Sequence, residues 1–322
     1  MSVSFSKLEN LFKKVLDKMD TTSGGSQTEF PSNKIVKLTG MTQIRFPVVH
    51  GITSGVHPSV KHFPNKWKGY EYWMAYTPYP GVERENPVIV ASNDGYTWVT
   101  PSGLSNPISP APETGYNSDT ELVFTGQKMY CYWRWYTDTG SNNTLFRMES
   151  LDGVTWSNKV SCVLETYADP LSPSIIFDRS GKYKMWLGAS ASDSMRYYES
   201  NDGINFTYVN DCTTNVDDFG FHWHPSVWRG ATKYYCLSAV GYRQDPQPAL
   251  LMTDLYLGTS EDGINWTFES NPLVARGEQG IKKYRVYRSS AVRVGDKMML
   301  YISGLGDETE QIHVLEGRML DN

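Results

Sequence analysis

Five polar residues head five short strands, at separations of 62, 53, 52 and 64 positions: His57, Asp119, Ser172, His224 and Arg288. The strands open as Pro58-Ser59-Val60, Thr120-Glu121-Leu122, Pro173-Ser174-Ile175, Pro225-Ser226-Val227 and Ser289-Ser290-Ala291. Residues at equivalent places in a closed array of repeats converge on its axis, so these five form a mixed polar ring. Two imidazoles and a carboxylate are suitable ligands for a divalent ion. The only close histidine pair, His222-Trp223-His224, should direct both rings to one face of a strand. The spacing does not demand an ion, however. The simpler expectation is a narrow channel in which these groups bond one another and water, with no metal and no cofactor.

The elements that position the ring are legible from a second repeat. Ser92-Asn-Asp-Gly-Tyr-Thr-Trp98, Ser150-Leu-Asp-Gly-Val-Thr-Trp156, Ser200-Asn-Asp-Gly-Ile-Asn-Phe206 and Ser260-Glu-Asp-Gly-Ile-Asn-Trp266 are four copies of one motif. Their aspartates are separated by 58, 50 and 60 residues, enough for a four-stranded unit with variable loops. Asp-Gly supplies a tight turn and the following aromatic returns the chain into the core. A degenerate fifth copy is expected at Leu315-Glu-Gly-Arg318. The fold class is therefore all-β, a five-bladed β-propeller over residues 41–322. Its fifth blade runs out of chain near Met319, so its outer strand should come from Thr42 to Val49, which removes an exposed edge. The motif aspartates are assigned no chemistry.

Ahead of the propeller, Leu8, Leu11, Phe12, Val15, Leu16 and Met19 recur at helical spacing, predicting an amphipathic helix within residues 1–20 for assembly or attachment. A flexible linker is expected over residues 21–40. Composition narrows the partners. Aromatic residues make up 13% of the chain and the net charge is -5, with no basic cluster, which excludes a nucleic-acid footprint. The N-terminus lacks a signal-peptide core and no run is long enough to cross a bilayer. Cys131, Cys162, Cys212 and Cys236 are expected to be reduced core residues. Loops 77–85, 135–143 and 242–247 should share the funnel's face. Tyr79, Arg84, Trp135, Tyr136 and Tyr242 are candidates to stack on sugar rings and read hydroxyls, alongside His57, Asp119, His224 and Arg288.

Together, the Pro-Ser-Val strands and Ser-x-Asp-Gly-x-x-Trp hairpins resemble the five-bladed propellers of glycoside hydrolase families 43, 32 and 68. The Tyr72-to-Pro80 segment, Glu85-Asn86-Pro87 and Ser92-Asn93-Asp94-Gly95 look like the propeller of phage tail receptor-binding proteins. The hydrolase resemblance implies an Asp base in blade one, an Asp in blade two and a Glu acid in blade three. This chain carries His57, Asp119 and Ser172 there, so only Asp119 keeps a carboxylate; Glu113, Asp169, Asp217 and Asp218 are further carboxylates that loops could bring in. The expectation is a non-catalytic receptor-binding protein of a phage tail or baseplate that recognises a host cell-surface glycan. It would be trimeric, joined to other virion proteins, and made in the host cytoplasm. The alternative is a family-43-like glycosidase of pentose- or fructose-containing glycans, with Asp119 as a catalytic carboxylate.

Overall fold

The computed structural model describes residues 35–319 apart from 50, 80, 82–84, 138–141, 167–168, 190–193, 244–251, 279–284 and 306–310. The expected N-terminal helix and most of the linker lie outside the described residues, as does Arg84. What is described is five sheets, antiparallel through the strands of each blade, and no helix. Their first strands, Gly55–Trp67, Tyr116–Phe124, Ser174–Phe177, Gly220–Arg229 and Arg285–Val294, pack against one another around the axis. This is the expected five-bladed propeller.

Blade five closes as a composite. Its third strand, Gln311–Met319, pairs antiparallel with Thr42–Gln43, as the sequence predicts, and also with Ile35–Lys37. The closing edge thus begins inside the stretch read as linker. Ile35 is 1% exposed and packs with Leu300, Leu315 and Val286, so apolar burial fixes this segment on the sheet. The expected fifth hairpin motif at 315–318 is absent; those residues continue the strand, with Gly317 opposite both Met298 and Lys37. Two inter-blade connections run parallel to the next blade's outer strand, Val163–Leu164 beside Asn205–Asp211 and Thr213–Thr214 beside Asn265–Phe268. They cover edges that would otherwise offer unpaired backbone groups.

The hairpin motif is a joint between blades. In the third copy, Ser200 Oγ accepts the Gly203 N–H at 2.9 Å, and Asp202 Oδ1 accepts the N–H groups of Ile204 and Asn205, each at 2.8 Å. Equivalent bonds recur in the other three copies. The glycine takes positive φ and presents its carbonyl to an aromatic side chain of the preceding blade. Tyr132 donates to Gly203 O at 3.0 Å, Trp186 to Gly263 O at 2.7 Å, and Tyr301 to Gly95 O at 3.1 Å. A Cβ on Gly153 would meet the Trp73 ring at 2.3 Å. Trp98, Phe206 and Trp266 are buried below. The aspartates are thus consumed by turn hydrogen bonds, which hold the Asp152 carboxyl down at about 2.

The first-strand serines make a second joint. Ser59, Ser174 and Ser290 each accept a backbone N–H of the next blade's first strand, from Leu122, Val227 and Val60, at 2.9, 2.8 and 3.0 Å. In blade two the equivalent residue is Glu121. It binds Arg288 across the axis at 2.8 Å, and the same guanidinium nitrogen donates to Pro173 O at 2.7 Å. A buried arginine therefore ties blade five to blades two and three. All four cysteines are buried and unpaired with one another.

Candidate functional site

At the head of each first strand the chain departs from regular strand geometry, by a register shift, a left-handed residue or both. Register shifts lie between Val56 and Ser59, Ser118 and Glu121, His222 and His224, and Val286 and Ser289. His57, Asp119 and Ser172 adopt φ of 56°, 54° and 48°, a left-handed conformation costly for any side chain except glycine. Such bulges re-aim side chains at functional sites. Here they turn His57, Asp119, Ser172, His224 and Arg288 into the funnel, all 2% exposed or less. The bulge also corrects one expectation. His222 and His224 do not share a face: His222 bonds Ser238 and Thr214 and lies against Phe268 in blade four, while His224 alone reaches the axis.

At the centre stands Asp119. Its Oδ1 lies 3.4 Å from His57 Nε2 and 3.6 Å from His224 Nδ1, and accepts from Ser172 Oγ at 3.1 Å. Its Oδ2 accepts from Ser118 Oγ at 3.2 Å. The guanidinium groups of Arg288 and Arg134 approach the two oxygens to 3.7 and 3.8 Å. Burial opposes ionisation of this carboxyl, but the surrounding cations and imidazoles hold it well below the usual carboxylate range. The same burial, reinforced by the guanidiniums, depresses His57 to about 4 and His224 well below its ordinary value, although Asp119 pulls both the other way. At neutral pH the ring therefore holds one carboxylate and two neutral imidazoles.

His57, Asp119 and His224 form the one cluster of metal-ligating side chains among the described residues, with a ligand atom of each within 4.8 Å of the others. Two donors about 2.1 Å from a tetrahedral ion stand roughly 3.4 Å apart, which the 3.4 Å between His57 Nε2 and Asp119 Oδ1 matches. The hydrogen bonding agrees with ligation. Thr77 Oγ1 bonds His57 Nδ1 at 2.8 Å, the Glu85 carboxylate lies 3.7 Å from the same nitrogen, and Ser172 bonds His224 Nδ1. Both Nε2 atoms are buried without a protein hydrogen-bond partner. Ring groups also bond one another, Ser172 contacting both Asp119 and His224, while the two imidazole centroids stand 5.8 Å apart. The residues fit a divalent ion.

Around the cluster, the Tyr287 ring lies 4.2 Å from His224 and 5.1 Å from His57. It packs against Trp223, and the Arg285 guanidinium lies over both rings. Arg134 is held by the Asp169 carboxylate in two hydrogen bonds and lies over Tyr136, which stacks on Tyr116. Tyr136 thus reaches the site through Arg134. Trp135 instead donates to Thr114 O beside Phe146, Tyr242 bonds Asp254 and Tyr256, and the Tyr79 N–H donates to Ser54 O. Asp217 caps a turn at Thr214, and Glu113 is exposed. Sequence reading missed Thr77, Glu85, Arg134 and Tyr287 as site residues. Their one available signal was position, at the upper ends of strands or beside a ring residue.

A five-bladed propeller of the type seen in glycoside hydrolase families 43 and 32, with a histidine–carboxylate funnel, is the class that fold and site define. No family model matches the chain. In sequence it is 30% identical, over 302 aligned positions and 75% of its length, to an A type blood N-acetyl-α-D-galactosamine deacetylase of Flavonifractor plautii. It spans about 38% of that protein. The crystal structure of an N-acetylgalactosamine deacetylase from F. plautii, in complex with blood group B trisaccharide, superposes with a TM-score of 0.77 at 23% identity. That match covers 89% of this chain and 96% of the other. A thermostable family-43 glycoside hydrolase gives 0.61 at 13% identity, covering 87% and 96%. These relatives overturn the expectation of a non-catalytic phage receptor-binding protein. The neighbours in sequence and structure are enzymes named for action on glycans, and none carries a tail or virion role.

Proposed function

We propose that the funnel hydrolyses the acetamide of an N-acetylated sugar, N-acetylgalactosamine being the first candidate, with His57, Asp119 and His224 holding a divalent ion. The observation that carries this reading is the replacement of two of three hydrolase carboxylates by His57 and Ser172, which leaves a ligand set where an acid–base pair would stand. Cleavage of a glycosidic bond needs one group to protonate the leaving oxygen and another to activate water or attack carbon. Of the five ring positions only Asp119 carries a carboxylate, and it is locked between two guanidiniums. Sequence likeness to a deacetylase supports the same reading.

A bound ion would supply Lewis acidity toward an amide carbonyl and a lowered pKa for water. The chain's own residues do the rest. Thr77 bonds His57 at Nδ1 with Glu85 beside it and so orients the ring, Asp119 stays ionised, and Arg134 and Arg288 brace the carboxylate. The ring of Tyr287 covers the two histidines and restricts water. A serine-protease-like relay fits poorly. Ser172 and Asp119 both face Nδ1 of His224, so the imidazole cannot carry a proton from one to the other through its two nitrogens.

Incubating the purified chain with zinc and N-acetylgalactosaminides tests the reading. Acetate release that is lost with chelator and with Asp119→Asn is expected. Reducing-sugar release without acetate would instead establish the glycosidase that the family-43 likeness suggests.

A further inference from the structure

We infer that Ser172 is a positioning residue: its hydroxyl accepts the Nδ1 proton of His224 and donates its own hydrogen to Asp119, fixing the imidazole as the Nδ1–H tautomer and leaving the Nε2 lone pair for a ligand. This deepens the proposed metal-assisted reaction and rests on that reading for its purpose, although the relay itself is a property of the protein alone.

A serine hydroxyl has one hydrogen to give and lone pairs to accept with. Ser172 Oγ contacts two groups, Asp119 Oδ1 at 3.1 Å and His224 Nδ1. An ionised carboxylate can only accept, and a hydrogen bond to it is charge-assisted. The hydroxyl hydrogen therefore goes to Asp119, and the oxygen is left to accept from His224. Asp119 cannot do this directly, because 3.6 Å from Nδ1 is beyond hydrogen-bond reach. The reverse arrangement would put the proton on Nε2, a buried atom with no protein acceptor. For His57 the alternatives do not close in this way, since the Asp119 N–H also points at its Nδ1, at 3.3 Å.

Backbone geometry carries a second, independent argument. Ser172 is fully buried with φ of 48°, a conformation glycine adopts without strain. A position shaped for glycine yet occupied by serine is held for its hydroxyl. This also makes the test clean, because Ser172→Gly removes the hydroxyl while relieving the backbone.

The experiment uses the full chain labelled with 15N-histidine and freed of ions, reading the His224 tautomer by long-range nitrogen–proton correlation, with zinc affinity measured by calorimetry. The parent should show Nδ1–H at His224. Ser172→Gly should lose that single tautomer, keep its unfolding temperature, and bind zinc about 10- to 100-fold more weakly. Ser172→Ala, which retains the Cβ, should change the tautomer in the same way. A proton on Nε2 in the parent, or an unchanged tautomer in both variants, would overturn the inference. If the tautomer behaves as stated but the parent binds no zinc, the relay stands and the ion of the proposed function falls.

Discussion

The rim and the funnel of this propeller are both built from repeats, yet they use repetition in opposite ways. At the rim, four hairpins keep the same Ser, Asp and Gly, and all four carry the same serine and aspartate turn bonds. At the funnel, several blades keep the same bulge but change the side chain it presents, from His57 to Asp119 to His224 and Arg288. There, buried nitrogen atoms of His57, His224 and Arg288 lack protein hydrogen-bond partners. Constant side chains on a repeated backbone mark architecture. Varied side chains on a repeated, strained backbone mark function, because the same distortion is maintained for different chemistry.

The sharpest way to break that contrast is at Asp119. Asp119→Ala takes from Arg134 and Arg288 the buried carboxylate they share, leaving Asp169 and Glu121 as their remaining partners, so unfolding free energy should fall by about 3 kcal/mol, with ion binding abolished. Urea denaturation beside calorimetry checks both, and a fully stable variant would show that the funnel charges are not coupled.

A rim change of comparable violence should spare the site. In Gly263→Ala the new Cβ would enter within 2.9 Å of Trp186 at φ of 82°, which should cost roughly 2–3 kcal/mol of stability. Zinc affinity of the folded variant should be unchanged. A ten-fold loss of affinity would mean that rim and funnel are not separable.

Acid should weaken the fold through its buried histidines. His57, His222 and His224 are all depressed by burial, with His57 at about 4 and His222 at about 3. Between the unfolded value of 6.5 and these folded values the unfolded chain binds protons that the native chain refuses. Their stabilisation is therefore fully present above pH 6.5 and drains as pH falls toward 4. Thermal unfolding across that range should show a steady decline, and a flat profile would contradict neutral burial of these rings. The smallest effect belongs to one turn bond: Ser200→Ala removes the acceptor of the Gly203 N–H and should cost about 1 kcal/mol.

The same contrast explains what was legible in the sequence. Hairpins are local, so Asp-Gly turns and returning aromatics reveal four blades, and the repeat of first strands supplies the fifth. Ring residues are legible by register alone, which is how His57, Asp119, Ser172, His224 and Arg288 could be brought together from far apart. Orientation within a bulge is not local. His222 follows the regular alternation and His224 does not, and no spacing rule separates them. Arg134 and Asp169 meet across 35 residues between blades, and Ile35–Lys37 pairs with Gln311–Met319 from the far end of the chain. The functional expectation failed for a related reason. Missing hydrolase carboxylates point to lost catalysis, whereas one of the replacing groups, His57, stands with Asp119 and His224 in a cluster that could hold a metal ion.

Anomalous X-ray diffraction from crystals of the chain grown with zinc, recorded on both sides of the zinc edge, tests the central claim most directly. One strong zinc peak is expected in the funnel, bonded by His57, Asp119 and His224. Zinc found only at surface carboxylates, with the funnel side chains bonded to one another instead, would contradict it.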